Sequence, residues 1–391
     1  MTPDAARNRK GVSMTRNPLV QLGTLGQSPW LDFIERGLIE SGELARLVSD
    51  DGIRGVTSNP TIFEKAISGG KAYDGQIRTL AGRGAGVMEA YKELVTEDIR
   101  RAADVLRPVF DASGGGDGHV SLEVDPDMAH DTGRTVERAE ELFRAVGRPN
   151  VLIKIPATVE GLPAIEETIS RGIPVNVTLI FSVKRYEEVA QAYIRGVERL
   201  AASGKDPRAV ASVASFFVSR VDTAVDRLLD AVIPRWPGSP KAQTAISLKG
   251  KVAIANARLA YARFREIFST PRWKELAGKG GRSQRPLWAS TGTKNPAYSD
   301  VLYVEELIGP DTVNTMPTAT IEAFRDHGTV ADALTGREAE AREVLDDLGL
   351  LDIGIEEVCE TLTADGVESF SDSFRKLLAA VERRLSETKK R

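Results

Sequence analysis

The chain has 391 residues, 41% hydrophobic and 28% charged, which is enough for a large core; no apolar run approaches the ~20 residues that a bilayer crossing needs. A formal net charge of −4 leaves no electrostatic footprint for nucleic acid. The single cysteine, Cys359, excludes an internal disulfide and points to a reducing, cytoplasmic setting.

Residues 1–17 carry positive charge without an apolar stretch, and they read as a flexible leader, not a secretion signal. A less regular strand-like run follows near 30–33, then clearer ones at 53–57, 120–124, 151–155, 173–178, 209–215, 287–290 and 312–315. Amphipathic helical patterns at 132–146, 162–170, 183–202 and 219–231 lie between them. Strands alternating with helices, without return hairpins, predict a parallel sheet. Eight strands fit a closed (β/α)8 TIM barrel, with an open doubly wound sheet as the rival. Residues 18–391 then form one domain, elaborated by a long helical insertion at 241–268 and by C-terminal helices over 337–389 that pack outside the barrel. The Gly-rich stretch 111–118 precedes a strand, not a helix, so it lacks phosphate-loop geometry and reads as a flexible connection. His119, His130 and His327 share no ligand spacing, which argues against a metal site.

Within the apolar run VLIKIP at 151–156, Lys154 stands out. An ammonium in a strand buried on both faces is costly unless it is paired or becomes a neutral amine, the nucleophile that forms Schiff bases with carbonyl compounds. Side chains alternate along a strand, so Ser121, Glu123 and Asp125 share one face of their strand, and Asn176 and Thr178 share one face of theirs. These polar groups fall toward the C-terminal strand ends, where a barrel carries its active site. A structural Lys154–Glu123 ion pair, or strands half exposed to solvent, are the alternatives; both predict side chains that line no pocket. Asn59 precedes Pro60 and could serve only as a helix cap, and Asp32 could sit in a surface turn.

Five motifs, in order, resemble the transaldolase family from about residue 22 to 328: GVTSNPTIF at 55–63, VSLEVDP at 120–126, IKIPAT at 153–158, NVTLIFS at 176–182 and ASTGTKNP at 289–296. The added helical segments look like its longer bacterial branch. The resemblance implies a class I aldolase mechanism on a barrel, with Lys154 forming the Schiff base on the fourth strand. It also implies that Glu123 is an acid/base acting through a water held with Thr178, and that Asp32 takes the C4 hydroxyl proton. Asn59 and Asn176 match residues that hold the substrate hydroxyls and the retained dihydroxyacetone unit. Ser215 and Phe217 match pocket-lining residues, and Arg220 matches the phosphate-binding arginine. At Lys294 many relatives carry an arginine, and a lysine lacks the bidentate fork. The implied reaction moves dihydroxyacetone from sedoheptulose 7-phosphate to glyceraldehyde 3-phosphate, with no metal or organic cofactor, in a cytoplasmic monomer or homodimer. A fructose 6-phosphate aldolase of the same superfamily and a non-catalytic sugar-phosphate-binding barrel are the competing readings.

Overall fold

A computed structural model describes residues 17–389; the leader expected over 1–17 lies, apart from Asn17, outside the described residues. Eight parallel strands close a barrel in chain order: β1 (Gln27–Leu31), β2 (Gly55–Val56), β3 (His119–Glu123), β4 (Val151–Pro156), β5 (Val175–Ile180), β6 (Ser212–Phe217), β7 (Arg285–Ala289) and β8 (Thr312–Met316), with β8 pairing back to β1. The eight expected strands are all present, with ends shifted by a few residues, and the open doubly wound sheet is excluded. Helices sheathe the outside, so the strand residues are almost all buried, as in the VLIKIP run of β4.

β2 is much shorter than its apolar run suggested. Gly55 lies against the Trp30 ring, where a Cβ would come within 2.4 Å. The indole fills the interior at that level and donates from Nε1 to Asp117 Oδ1 (3.0 Å). The Gly-rich connection is an ordered plug on the barrel floor, not a flexible link. Gly114, Gly115 and Gly118 take positive φ, which glycine adopts without steric cost, and their turns meet arginines from the far end of the chain. Arg282 donates to Gly114 O, while Arg285 donates to Gly116 O (2.9 Å) and to Ser28 Oγ (2.9 Å).

The long helical pattern at 241–268 is in fact two helices, Pro240–Leu248 and Val252–Ile267. They break at Gly250, whose φ of +72° and lack of a Cβ let it sit against the Tyr298 ring. A helical period survives such a break in sequence, so the pattern hid it. The C-terminal region is likewise two helices, Glu338–Gly349 and Ile355–Lys389. The last of these packs outside the wall, against Pro60–Gly69, Asp74–Gly82, Val87–Ala112 and Ser219–Val232, but it also runs over the mouth. Cys359 on that helix is buried, with its thiol donating to Phe181 O (3.1 Å). Among the described residues, no helix is long and apolar enough to cross a membrane.

Candidate active site

The strand register brings the polar residues together. Glu123, Lys154 and Asn176 are direct neighbours across β3, β4 and β5, and their side chains turn inward near the C-terminal ends. Lys154 is 4% exposed and Glu123 6%. The Lys154 Nζ lies 3.3 Å from Glu123 Oε2 and donates to Ser58 O (3.2 Å). Asn176 is locked between neighbours: it donates from Nδ2 to Ser121 Oγ (3.0 Å) and accepts at Oδ1 from Ser215 Oγ (2.6 Å).

Above this layer lies a cavity of about 290 Å³. Of the residues expected from sequence, Asp32, Asn59, Lys154, Ser215, Phe217, Arg220 and Lys294 line it. Lys154 thus opens onto a pocket, which an inert ion pair would not require. Glu123, Asn176 and Thr178 stand behind that lining. Glu123 Oε2 has no well-aligned hydrogen bond and Thr178 Oγ1 has none, although both atoms are buried, and a buried polar atom calls for a partner. Directly after Thr178 the chain takes φ +59° at Leu179, and the pairing with β6 slips between Val177 and Ile180. A left-handed leucine is costly, and such strain gathers at functional sites.

Asn59 fills both roles considered for it. Its Oδ1 caps the helix Pro60–Gly69 by accepting from Ile62 N (3.0 Å), and the residue also faces the cavity. Asp32 lies past the end of β1, where its Oδ1 accepts from Thr57 Oγ1 (2.6 Å). Burial raises the Asp32 pKa against the pull of Lys154 and of the Thr57 hydroxyl. Burial likewise raises Glu123, opposed chiefly by Lys154. Both carboxyls are therefore shifted toward the neutral range in which they can exchange protons. Asp125, on the same face as Glu123 by alternation, turns away to pair with Arg138 (3.1 Å).

One end of the cavity is basic. Arg220 forms no ion pair among the described residues; its guanidinium lies between two rings, 5.4 Å from the centroid of Phe217 and 5.8 Å from that of Phe370. Burial lowers its pKa, partly offset by Asp32 and Glu123, and leaves it a partly desolvated cation with no direct ion pair among the described residues. Lys294 and Lys65 join it, so four basic groups, with Lys154, face a lining that holds only one carboxylate, Asp32. The loop bearing Lys294 is tied down from behind. Tyr298 Oη donates to Asp226 (2.5 Å) and Tyr303 Oη to Asp222 (2.8 Å), both on Ser219–Val232, the helix that begins beside Arg220. Phe370, Lys65 and Thr57 are site residues that sequence reasoning missed. Thr57 was within reach, two positions before Asn59 in the quoted motif; nothing in the sequence marked the other two.

Fold and site together define a class: a (β/α)8-barrel enzyme with a buried amine beside a carboxyl, opening onto a cavity lined by several basic groups. The model of the transaldolase/fructose-6-phosphate aldolase family matches residues 29–381. The chain is 52% identical over 376 residues to a transaldolase of Saccharopolyspora erythraea, covering 96% of this chain and all of that one. It is 53% identical over 369 residues to a transaldolase of Parafrankia (94% and 98% covered) and 48% identical over 379 to one of Mycolicibacterium smegmatis (96% and 100%). The chain belongs to the transaldolase/fructose-6-phosphate aldolase family.

Proposed function

We propose that Lys154 is the nucleophile of the transaldolase reaction, the transferase activity that family membership assigns to this chain. The observation that carries this is an amine 4% exposed, 3.3 Å from a carboxyl, opening onto a cavity with a basic end. Attack of Lys154 on the ketone of a ketose phosphate gives a carbinolamine, which loses water to form the imine. Glu123 supplies the proton for the departing hydroxide; its Oε2, paired with Lys154 but without a well-aligned hydrogen bond, and the unpartnered Thr178 Oγ1 suit a water held between them. Asp32 takes the C4 hydroxyl proton as the C3–C4 bond breaks, and the electron pair passes into the imine to leave an enamine. The imine nitrogen is itself the electron sink, so this chemistry calls for no metal or organic cofactor. The aldehyde departs, and a second aldehyde takes the three-carbon unit by the reverse steps, so the kinetics are ping-pong.

Asn59 and Asn176 hold hydroxyls of the substrate, while Ser215 and Phe217 wall it. Arg220 and Lys294 grip the phosphate, the former through its bidentate fork. The substrates proposed are sedoheptulose 7-phosphate and glyceraldehyde 3-phosphate, giving erythrose 4-phosphate and fructose 6-phosphate in the non-oxidative pentose phosphate pathway. The cavity is complete within one chain, which suits a monomer or a homodimer equally. The lone buried cysteine fits a cytoplasmic location, and the net charge of −4 fits a protein without a nucleic-acid partner.

Borohydride reduction in the presence of fructose 6-phosphate, followed by peptide mass analysis, tests the proposal. A reduced three-carbon adduct on Lys154, absent from Lys154→Ala along with activity, is the expected result. An adduct elsewhere, or an active Lys154→Ala enzyme, would refute it.

A further inference from the structure

Between the two half-reactions, the three-carbon enamine on Lys154 can meet an acceptor aldehyde or water. With water, C3 takes a proton, water adds to the resulting iminium carbon, and the C–N bond breaks. Free dihydroxyacetone and the lysine amine are the products, and the net change is consumption of one water. A transferase must suppress this branch.

The last helix supplies a barrier at that point. The Phe370 ring lies 5.7 Å from Lys154 Nζ and 5.8 Å from the Arg220 guanidinium, lines the mouth cavity and is only 5% exposed. Its position is fixed by contacts along the same helix. Thr61 Oγ1, on the helix capped by Asn59, donates to Ser373 Oγ (2.8 Å). Phe374 packs edge-on against Tyr91 at 5.2 Å between centroids. One turn before Phe370, Gly366 presses so closely on Leu179 that a Cβ would come within 2.9 Å. These contacts brace the helix on both sides of Phe370, which sets an apolar ring, in the same cavity as Phe217, over the polar residues Asp32, Asn59, Lys154, Ser215 and Arg220.

We infer that Phe370 shields the Lys154 enamine from bulk water and thereby commits the enzyme to transfer over release of free dihydroxyacetone. The inference rests on Lys154 being the Schiff-base residue. Excluding water from a reactive intermediate requires filled volume at the mouth, and any apolar side chain of sufficient bulk can supply it.

The experiment measures free dihydroxyacetone released per transfer event, with fructose 6-phosphate as donor and erythrose 4-phosphate as acceptor. Wild type is compared with Phe370→Leu, Phe370→Val and Phe370→Ala. The release-to-transfer ratio is expected to stay within about twofold of wild type for leucine and to climb as volume is lost, by roughly tenfold or more for alanine. If alanine at this buried position prevents folding, the leucine-to-valine step decides, read on enzymes whose borohydride adduct shows an intact site. Adducts in wild type and variants with an unchanged ratio would overturn the shield. No adduct in wild type would instead overturn the Schiff-base reading beneath it.

Discussion

Replacing Asp222 with asparagine should remove a pH dependence from the stability of the fold. Asp222 is 1% exposed; its Oδ1 accepts from Ala253 N (2.7 Å) and its Oδ2 from Tyr303 Oη (2.8 Å). Burial pushes its pKa up from an ordinary 3.8 to about 7; the two hydrogen bonds oppose the shift, and Asp226, one turn along the helix, adds to it. Between about pH 4 and 7 the folded state therefore holds a proton that the unfolded state has lost. Stability falls as pH rises through that window, by about 1.4 kcal/mol per unit, and is level above it. Across the window the penalty is on the order of 4 kcal/mol. Asparagine resembles the protonated acid: it still accepts from Ala253, and the Tyr303 hydroxyl can rotate to accept from its amide. Urea unfolding at pH 5, 6, 7 and 8 should then show the variant pulling ahead of wild type as pH rises, with the gap constant beyond 7. A gap that does not change with pH would refute the reasoning.

Two further substitutions probe the wall and the proposed phosphate grip. Gly55→Ala puts a methyl group 2.4 Å from the Trp30 ring and should cost roughly 3 kcal/mol or more, seen as a large drop in the unfolding midpoint. Arg220→Lys keeps the charge and loses the fork, so KM for phosphorylated donors should rise roughly ten- to a hundredfold, while transfer from unphosphorylated fructose to unphosphorylated glyceraldehyde is spared.

Lys154 and Glu123 were legible because a polar residue in a doubly buried strand has few other reasons to be there. The closed barrel was legible because the strand and helix periods alternate cleanly. The rest depended on contacts distant in sequence. Phe370 belongs to a helical stretch that looks like any amphipathic surface helix, and only its crossing of the mouth brings it to Lys154. The glycines of 111–118 read as slack because Arg282 and Arg285, which order them, lie far downstream. The break at Gly250 was hidden because the ring that requires it, Tyr298, comes from a loop beyond the next strand.

The barrel is stitched unevenly around its circumference. β1 shares five register pairs with β8 but one with β2, and β2 shares two with β3. The ladders are therefore short in two places, between β7 and β8, which also share two pairs, and at the seam on either side of β2, where the Trp30 indole packs against Gly55. That seam runs directly into Thr57 and Asn59 at the mouth. Amide exchange should be faster there than along β4 and β5, so the wall proposed to receive the substrate is among the parts of the cylinder nearest to opening. A sugar spanning Asn59 and Lys154 would act as the missing stitch, and occupancy of the site would be felt as stiffness of the whole ring.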